Sequence, residues 1–408
     1  MNDIKKNAIA RANENKELIG MARLMHLAYS GDNLVPLSDE LIARCRAGAD
    51  ANALLDLSVV LQLWQNRELG LAAQREALSL QQVYTLPANG SAALRVLALT
   101  MPGDLSANTP LEFLLEDSDV ELKLLYLGRD LPFPDELPAH DVMFVAASEA
   151  EEALPLLNVL DALVKDWPRP VLNQPGAIAK LSRDNTCLMF GSVPGVVMPL
   201  TVRAGRDALE RLARGELAPQ DMIGGGTFPL IARPVDSHSG RGLQKIEDAA
   251  GAADYLAAQT ESTFFVSNFI DYRGADGLYR KYRIVLIEGQ PFICHMAISK
   301  RWMIHYLNAD MEESAAKRDE EARFMETFDT DFALRHGQAF REIYQRAGLN
   351  YLGIDCGETS DGRLLLFEVD SNMAVHAMDP VEKFPYKHPQ MQKVFGAFRA
   401  MLERAASR

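Results

Sequence analysis

The stretch Leu352-Gly-Ile-Asp355-Cys-Gly-Glu-Thr-Ser-Asp361-Gly362-Arg-Leu-Leu-Leu-Phe-Glu368-Val-Asp370-Ser-Asn372 constrains this chain more than any other. Asp361-Gly362 lies between two β-prone runs and reads as a two-residue hairpin turn. A turn centred there sets Asp355 opposite Glu368, with Cβ atoms roughly 5 Å apart. Asp370, two residues beyond Glu368, shares its face. Carboxylates crowded on one patch repel one another unless positive charge lies among them. Hard divalent cations, magnesium above all, take oxygen ligands of this kind. An edge hairpin with three unrelated, solvated acids is the plainer alternative. Ile354, Leu364, Leu366 and Phe367 argue against it, because they mark the hairpin as part of a core. A metal site is therefore expected here.

A second pattern lies upstream. Phe228-Pro-Leu-Ile-Ala-Arg233-Pro-Val-Asp-Ser237-His238-Ser239-Gly240-Arg-Gly242 reads as a strand running into a small flexible loop. Glycines allow close backbone approach, and exposed amides with serine hydroxyls hold phosphate oxygens. Arg233 adds a fixed positive charge. Ser/Gly loops are common, so this signal is weak by itself. Lys281-Tyr282-Arg283 precedes a further β unit and Lys300-Arg301 follows it, which puts cations at both ends of one hairpin. Solvated hairpin ends are the usual meaning of such a pattern.

The rest of the chain sets the frame. At 408 residues it exceeds one comfortable core and divides into several domains. Residues 1–88 read as helices. Ser38-Asp39-Glu40 suits a helix start, Ala51 to Gln65 carries a helical apolar face, and a second helix is expected from about Glu68 to Tyr84. Gly70 and Ala77 fit the spacing of a tetratricopeptide hairpin, but one unit cannot bury its own face. The helices are expected to dock on the remainder, with self-association as a homodimer or a protein partner as the functional alternatives to plain packing.

From residue 91 to 202 the grammar is α/β. Strands are expected at 94–100, 120–127, 142–147 and 170–173 with helices between, which implies a mostly parallel sheet. No GxGxxG follows its first strand, so a dinucleotide site is not supported. Residues 203–408 read as α+β, opening with a basic helix at 203–215.

Charge and cysteines narrow the function. A net charge of −14 disfavours a general nucleic-acid or anionic-membrane binder. No membrane span and no secretory signal are read, and the four separated cysteines suit reduced thiols in a cytoplasmic protein.

Taken in order, these pieces resemble the ATP-grasp superfamily, in particular the branch that includes the ribosomal-protein glutamate ligases. The resemblance covers roughly residues 93–405. It rests most on Leu352-Gly-Ile-Asp355, Asp361-Gly362 and Phe367-Glu368-Val369-Asp370, which resemble the family's "lgvD", Asp-Gly turn and "lEvN". It implies an ATP-grasp fold of two α+β subdomains behind a Rossmann-like α/β pre-domain, with the helical region as an N-terminal addition. It also implies ATP with Mg2+, two ions, Mn2+ being an acceptable substitute. Asp355 and Glu368 match family metal ligands. Asp370 stands where asparagine is usual, and either Asp370 or Asn372 completes the set. Arg233 replaces a phosphate-binding lysine, and Ser237 to Gly242 corresponds to the phosphate-covering loop. Asn268, Phe269 and Ile270 fall in the hinge that reads adenine, and Arg283 matches an arginine on the transferred phosphate.

The implied activity is ligation of a carboxylate to an amine through an acyl-phosphate, on an amino acid or peptide. Arg301, Lys300 and His376 are candidates for holding a substrate carboxylate, although His376 is equally suited to packing. Two other readings stay open: a non-catalytic ATP-binding scaffold, and a small-molecule kinase of the same fold.

Overall fold

The protein is described by a computed structural model covering residues 2–235, 237 and 240–408. Five helices open the chain: α1 (Asn2–Glu14), α2 (Met21–Tyr29), α3 (Val35–Ala47), α4 (Ala51–Leu63) and α5 (Arg67–Leu80). Two of their starts are set by side-chain caps. The Asp50 carboxylate accepts the Ala53 N–H at 3.0 Å, and the Asn66 side chain accepts the Leu69 N–H at 3.4 Å. The start expected at Ser38 is displaced, because Pro36 fits the first turn and α3 begins at Val35, leaving Ser38 buried within it. Helices α4 and α5 pack almost backbone to backbone at Gly70. A Cβ there would lie 2.5 Å from Gln62 Cγ and 2.9 Å from the Ser58 carbonyl oxygen.

The second helix of this pair stops short of the expected Tyr84. Val83, Tyr84 and Thr85 are β-prone, and they form strand β1 (Val83–Leu86) with Tyr84 fully buried. Strand β1 joins a sheet with β2 (Leu94–Thr100), β3 (Val120–Tyr126), β4 (Val142–Val145) and β5 (Val171–Leu172), in the order β1-β3-β2-β4-β5. Pairing is parallel except for β1 on β3. Alternate residues face opposite cores, as strand geometry requires. Leu97, Leu99, Met143 and Val145 join one core, while Val96, Ala98, Val142 and Phe144 join another. The second core also holds Leu54 and Leu55 of α4 and Phe398 and Met401 of the C-terminal helix Lys387–Ala406.

Two further sheets follow. After β6 (Val196–Val197) come β7 (Thr201–Gly205), β8 (Leu230–Pro234), β9 (Gln244–Ile246) and β10 (Thr263–Asn268), ordered β7-β10-β8-β9 and all antiparallel. Helices Arg206–Ala213 and Ala249–Ala258 close this small unit over its own core of Leu209, Leu230, Tyr255 and Phe264. The basic helix expected from 203 begins only at Arg206, because residues 203–205 extend β7. The last sheet comprises β11 (Tyr279–Ile287), β12 (Gln290–Ser299), β13 (Tyr351–Glu358) and β14 (Leu364–Asp370), with β6 at its edge in the order β12-β11-β13-β14-β6.

The chain thus folds as an α/β layer followed by two α+β units, the order that the resemblance implies. The expected boundaries are each crossed by a strand. Strand β1 enters the α/β sheet before residue 88, and β6 enters the last sheet before residue 203.

Candidate functional site

The hairpin β13–β14 sets Asp355 opposite Glu368 and Gly353 opposite Asp370. The route to that register differs from a two-residue turn. Glu358 pairs with Leu364, so the connection runs from Thr359 to Arg363, and a bulge beside Asp355 leaves Phe367 unpaired. The longer turn and the bulge compensate, and the carboxylates meet.

Positive charge does lie among them, and the chain supplies it. Asp355 is 1% exposed and receives Arg283 Nε at 2.8 Å, Arg283 Nη2 at 2.9 Å and Lys281 Nζ at 2.6 Å. Arg283 pairs with Asp355 in the β11–β13 register. Burial alone would raise the Asp355 carboxyl, but Arg283 and Lys281 outweigh it and hold it far below the usual range. Glu368 takes an ion pair from Arg183, on the helix Arg183–Phe190, and Arg183 also donates to the Phe367 carbonyl at 3.2 Å. Burial again opposes, but Arg183 and Arg233 keep Glu368 low.

Asp370 is treated differently. Burial, and then the charge of Glu368, push it up to about 7. Glu149, in the segment after β4, is raised by burial and by Asp370, and its Oε2 is buried without a hydrogen-bond partner. Asn372 donates from Nδ2 to the Ser106 carbonyl at 2.5 Å, while its Oδ1 is buried and unpartnered.

These facts bear on the expected metal. Among the described residues, no group of three or more His, Cys, Asp or Glu side chains is gathered to hold an ion. Asp355 has both oxygens committed to cations. Magnesium, however, is commonly held by one or two carboxylates together with phosphate oxygens and water. Glu368, Asp370 and the free Asn372 Oδ1 suit that smaller role.

A cavity of about 800 Å³ runs past these groups. Its lining includes Ile231 and Phe265 of the small unit, Leu366 and Phe367 of β14, and Asn268, Phe269 and Ile270. Asn268 Oδ1 accepts the Thr227 N–H at 3.3 Å, the Phe269 N–H donates to Pro229 O at 3.0 Å, and the Lys245 ammonium lies 4.1 Å above the Phe269 ring. Arg233 lines the cavity from β8 and is 8% exposed. Its Nε donates to Ser237 Oγ at 3.1 Å. Burial, then the neighbouring Arg183, bring its guanidinium down to about 9.

The loop after β8 is only partly a cavity wall. Ser237 is buried, and its hydroxyl donates to the Pro234 carbonyl at 2.7 Å, so it props Arg233. Gly240 lines the cavity, whereas Gly242 packs on Pro234, where a Cβ would sit 2.6 Å from Cδ. His238 and Ser239 lie outside the described residues.

None of the three candidates for holding a substrate carboxylate lines the cavity. Lys300 and Arg301 are exposed and stand off the cavity, because β12 runs on to Ser299 before the chain turns. Trp302, Met303, Ile304 and His305 line it instead. His376 is a packing residue, its ring 6.2 Å from Tyr29 and 5.9 Å from Phe113, and burial lowers it to about 4.

Three parts of the site had no local signal. Glu149 belongs to the α/β layer and Arg183 to the helix Arg183–Phe190 that packs on β7 and β14, and both reach the carboxylates only through the fold. The N-terminal helical region also lines the cavity, through Met21, Met25, Gln62, Gln65 and Arg67.

No family model and no curated protein matches the sequence. Solved structures do resemble it. An ATP-grasp protein with a RimK domain, from Sphaerobacter thermophilus, is 17% identical with a TM-score of 0.42, over 76% of this chain and 99% of that one. The D-alanine–D-alanine ligase of Bacillus anthracis, solved with ATP, is 12% identical with a TM-score of 0.47, over 77% and 99%. The VanG D-Ala:D-Ser ligase of Enterococcus faecalis is 12% identical with a TM-score of 0.43, over 76% and 99%. Each is a likeness of chain path at low identity. No helix among the described residues is long and apolar enough to cross a membrane.

Proposed function

We propose that the chain is an ATP-dependent ligase that joins a carboxylate to an amine through an acyl-phosphate, with an amino acid or peptide as substrate. The observation that carries this reading is one continuous cavity with three unlike zones. Its lining combines apolar residues beside β10, interleaved cations and carboxylates on β11, β13 and β14, and a mixed apolar and amide set from the N-terminal helices.

In this reading the slot between Ile231, Phe265 and Leu366 takes the adenine beside Asn268–Ile270. Arg233, propped by Ser237, and Arg183 meet the phosphates. Glu368, Asp370 and Asn372 would hold the magnesium that accompanies ATP, and when bound that ion supplies charge neutralisation at the phosphates. The γ-phosphorus forms a bond to a substrate carboxylate oxygen and its bond to the β-bridging oxygen breaks, releasing ADP. The amine nitrogen then bonds to the acyl carbon, inorganic phosphate departs with the electrons of the C–O bond, and the nitrogen loses a proton. Positioning and preorganised charge are what such a transfer asks of a protein. Arg283, fixed on Asp355, holds its guanidinium among these charges.

The test is magnesium-dependent ADP release by wild type and Glu368→Ala against pools of amino acids and short peptides. Release that needs both a carboxylate and an amine, and disappears in the variant, supports the ligase. Tight ATP binding without turnover would favour a scaffold.

A further inference from the structure

The N-terminal helices do more than pack: they line the same cavity as β8, β10 and β14. They are fastened there by polar contacts to the α/β layer. The Glu112 carboxylate accepts the Ala22 N–H at 3.1 Å, at the start of α2. The Gln74 amide on α5 donates to the Gly103 carbonyl at 3.0 Å and accepts the Gly103 N–H at 2.9 Å. Arg67 Nε reaches Asp104 Oδ2 at 3.2 Å. These contacts hold α2 and the α4–α5 turn against the cavity, so Met21, Met25 and Phe113 form an apolar surface with Gln62 beside it.

Gln62 is the unusual member. It is only 8% exposed, sits on the wall between the main cavity and a smaller one of about 70 Å³, and its side-chain amide bonds to no described residue. It lines the cavity with an amide that no described side chain or backbone group occupies, so it offers a donor and an acceptor to a ligand there. Gly70 allows α5 to press on Gln62 Cγ from behind, which limits how far the side chain can withdraw. Arg67 stands at the cavity rim. Only its Nε is used on Asp104, and its side chain is 65% exposed, which leaves the two terminal amines for an anion.

We propose that this wall is the specificity subsite for the non-nucleotide substrate, and that it selects an amino acid or dipeptide with an apolar side chain. The side chain rests on Met21, Met25 and Phe113, the Gln62 amide bonds the substrate's polar backbone, and Arg67 pairs with its carboxylate at the rim. The assignment rests on the ligase reading and adds the substrate class and the residues that choose it. Leaving a substrate's backbone group unpaired discriminates far more strongly than losing one methylene.

Thermal unfolding of the full chain, with and without ligand, tests this apart from turnover. The probes are MgATP, L-leucine, L-methionine, L-phenylalanine, their dipeptides with glycine, and L-aspartate as the polar control. The expected result is a raised Tm with an apolar probe, little with aspartate, and at least a tenfold weaker response in Gln62→Leu with the MgATP response unchanged. Arg67→Gln, which also gives up the exposed pair with Asp104, weakens the apolar probe several-fold while the unfolding midpoint without ligand stays within about 0.5 kcal/mol of wild type. Protection by MgATP but by no amino acid or dipeptide overturns the subsite and leaves the nucleotide site standing. Equal protection of wild type and both variants also overturns it. Absence of any MgATP response, by contrast, would count against the ligase reading beneath.

Discussion

The β13–β14 hairpin and the seat of the N-terminal helices bury carboxylates in opposite ways. On the β13–β14 wall, Asp355 and Glu368 are matched by Arg283, Lys281 and Arg183 and are held below the ordinary carboxyl range. Behind the helical wall, around the smaller cavity where the helices meet the α/β layer, Asp56 and Glu112 meet mainly backbone N–H groups. Asp56 accepts those of Ile19 at 2.9 Å and Gly20 at 3.0 Å. Burial prevails there, and both are pushed up to about 7. The contrast separates two jobs. Side-chain ion pairs around a cavity preorganise charge for an anionic ligand, whereas acids that tie down backbone fix where one element sits on another.

The largest effect is expected where the ion pairs are densest. Arg283→Met leaves Asp355 buried with Lys281 alone, and loss of one partner of a buried pair costs about 3–5 kcal/mol, read as a lowered urea midpoint. Glu368→Gln keeps the shape and removes the charge. ADP release should fall by about 10²–10³-fold, the usual loss for one preorganised electrostatic group, with the unfolding midpoint changed far less. If the two variants behaved alike in both assays, the division between scaffold pair and ligand-facing carboxylate would be wrong.

The helical wall answers to packing. Gly70→Ala forces a methyl against Gln62 and the Ser58 carbonyl, and overpacking of this kind costs about 1–3 kcal/mol in the same urea experiment.

The smallest effect is the sign of pH dependence. Asp56 has a folded pKa of about 7, above its unfolded value, so the folded state holds that proton more tightly. Its contribution to stability is greatest below the unfolded value and is lost as pH rises towards about 7. Asp355 runs the other way, contributing above the ordinary carboxyl range and failing only in acid. Asp56→Asn should therefore flatten the decline in unfolding free energy, measured by urea, between pH 5 and pH 7.5 by on the order of 1 kcal/mol. An unchanged slope would mean that Asp56 is ionised across that range.

The same contrast explains what the sequence made legible. The β13–β14 wall is local: an Asp-Gly turn and alternating residues bring Asp355, Glu368 and Asp370 onto one patch, and even a bulge and a longer turn leave that pairing intact. The cations that neutralise the patch are less local. Arg283 and Lys281 were visible as charges flanking a strand, but only the β11–β13 register shows them on Asp355. Arg183 lies 185 residues from Glu368, and no periodicity signals such a meeting. Lys300 and Arg301 misled for the converse reason, since a charge at a strand end points nowhere until the length of the strand is known. The helical wall reads as helices that dock and not as part of a site, because Gln62 becomes distinctive only once the fold sets it on the cavity.

The most direct measurement is a trap for the acyl-phosphate. Hydroxylamine replaces the amine in reactions of wild-type protein with MgATP and the pooled carboxylates, and hydroxamate is assayed beside ADP. A ligase of the proposed kind gives hydroxamate and ADP in equal amounts, and Glu368→Gln gives neither. ADP accompanied by a stable phosphorylated product and no hydroxamate would contradict the acyl-phosphate and make the chain a kinase.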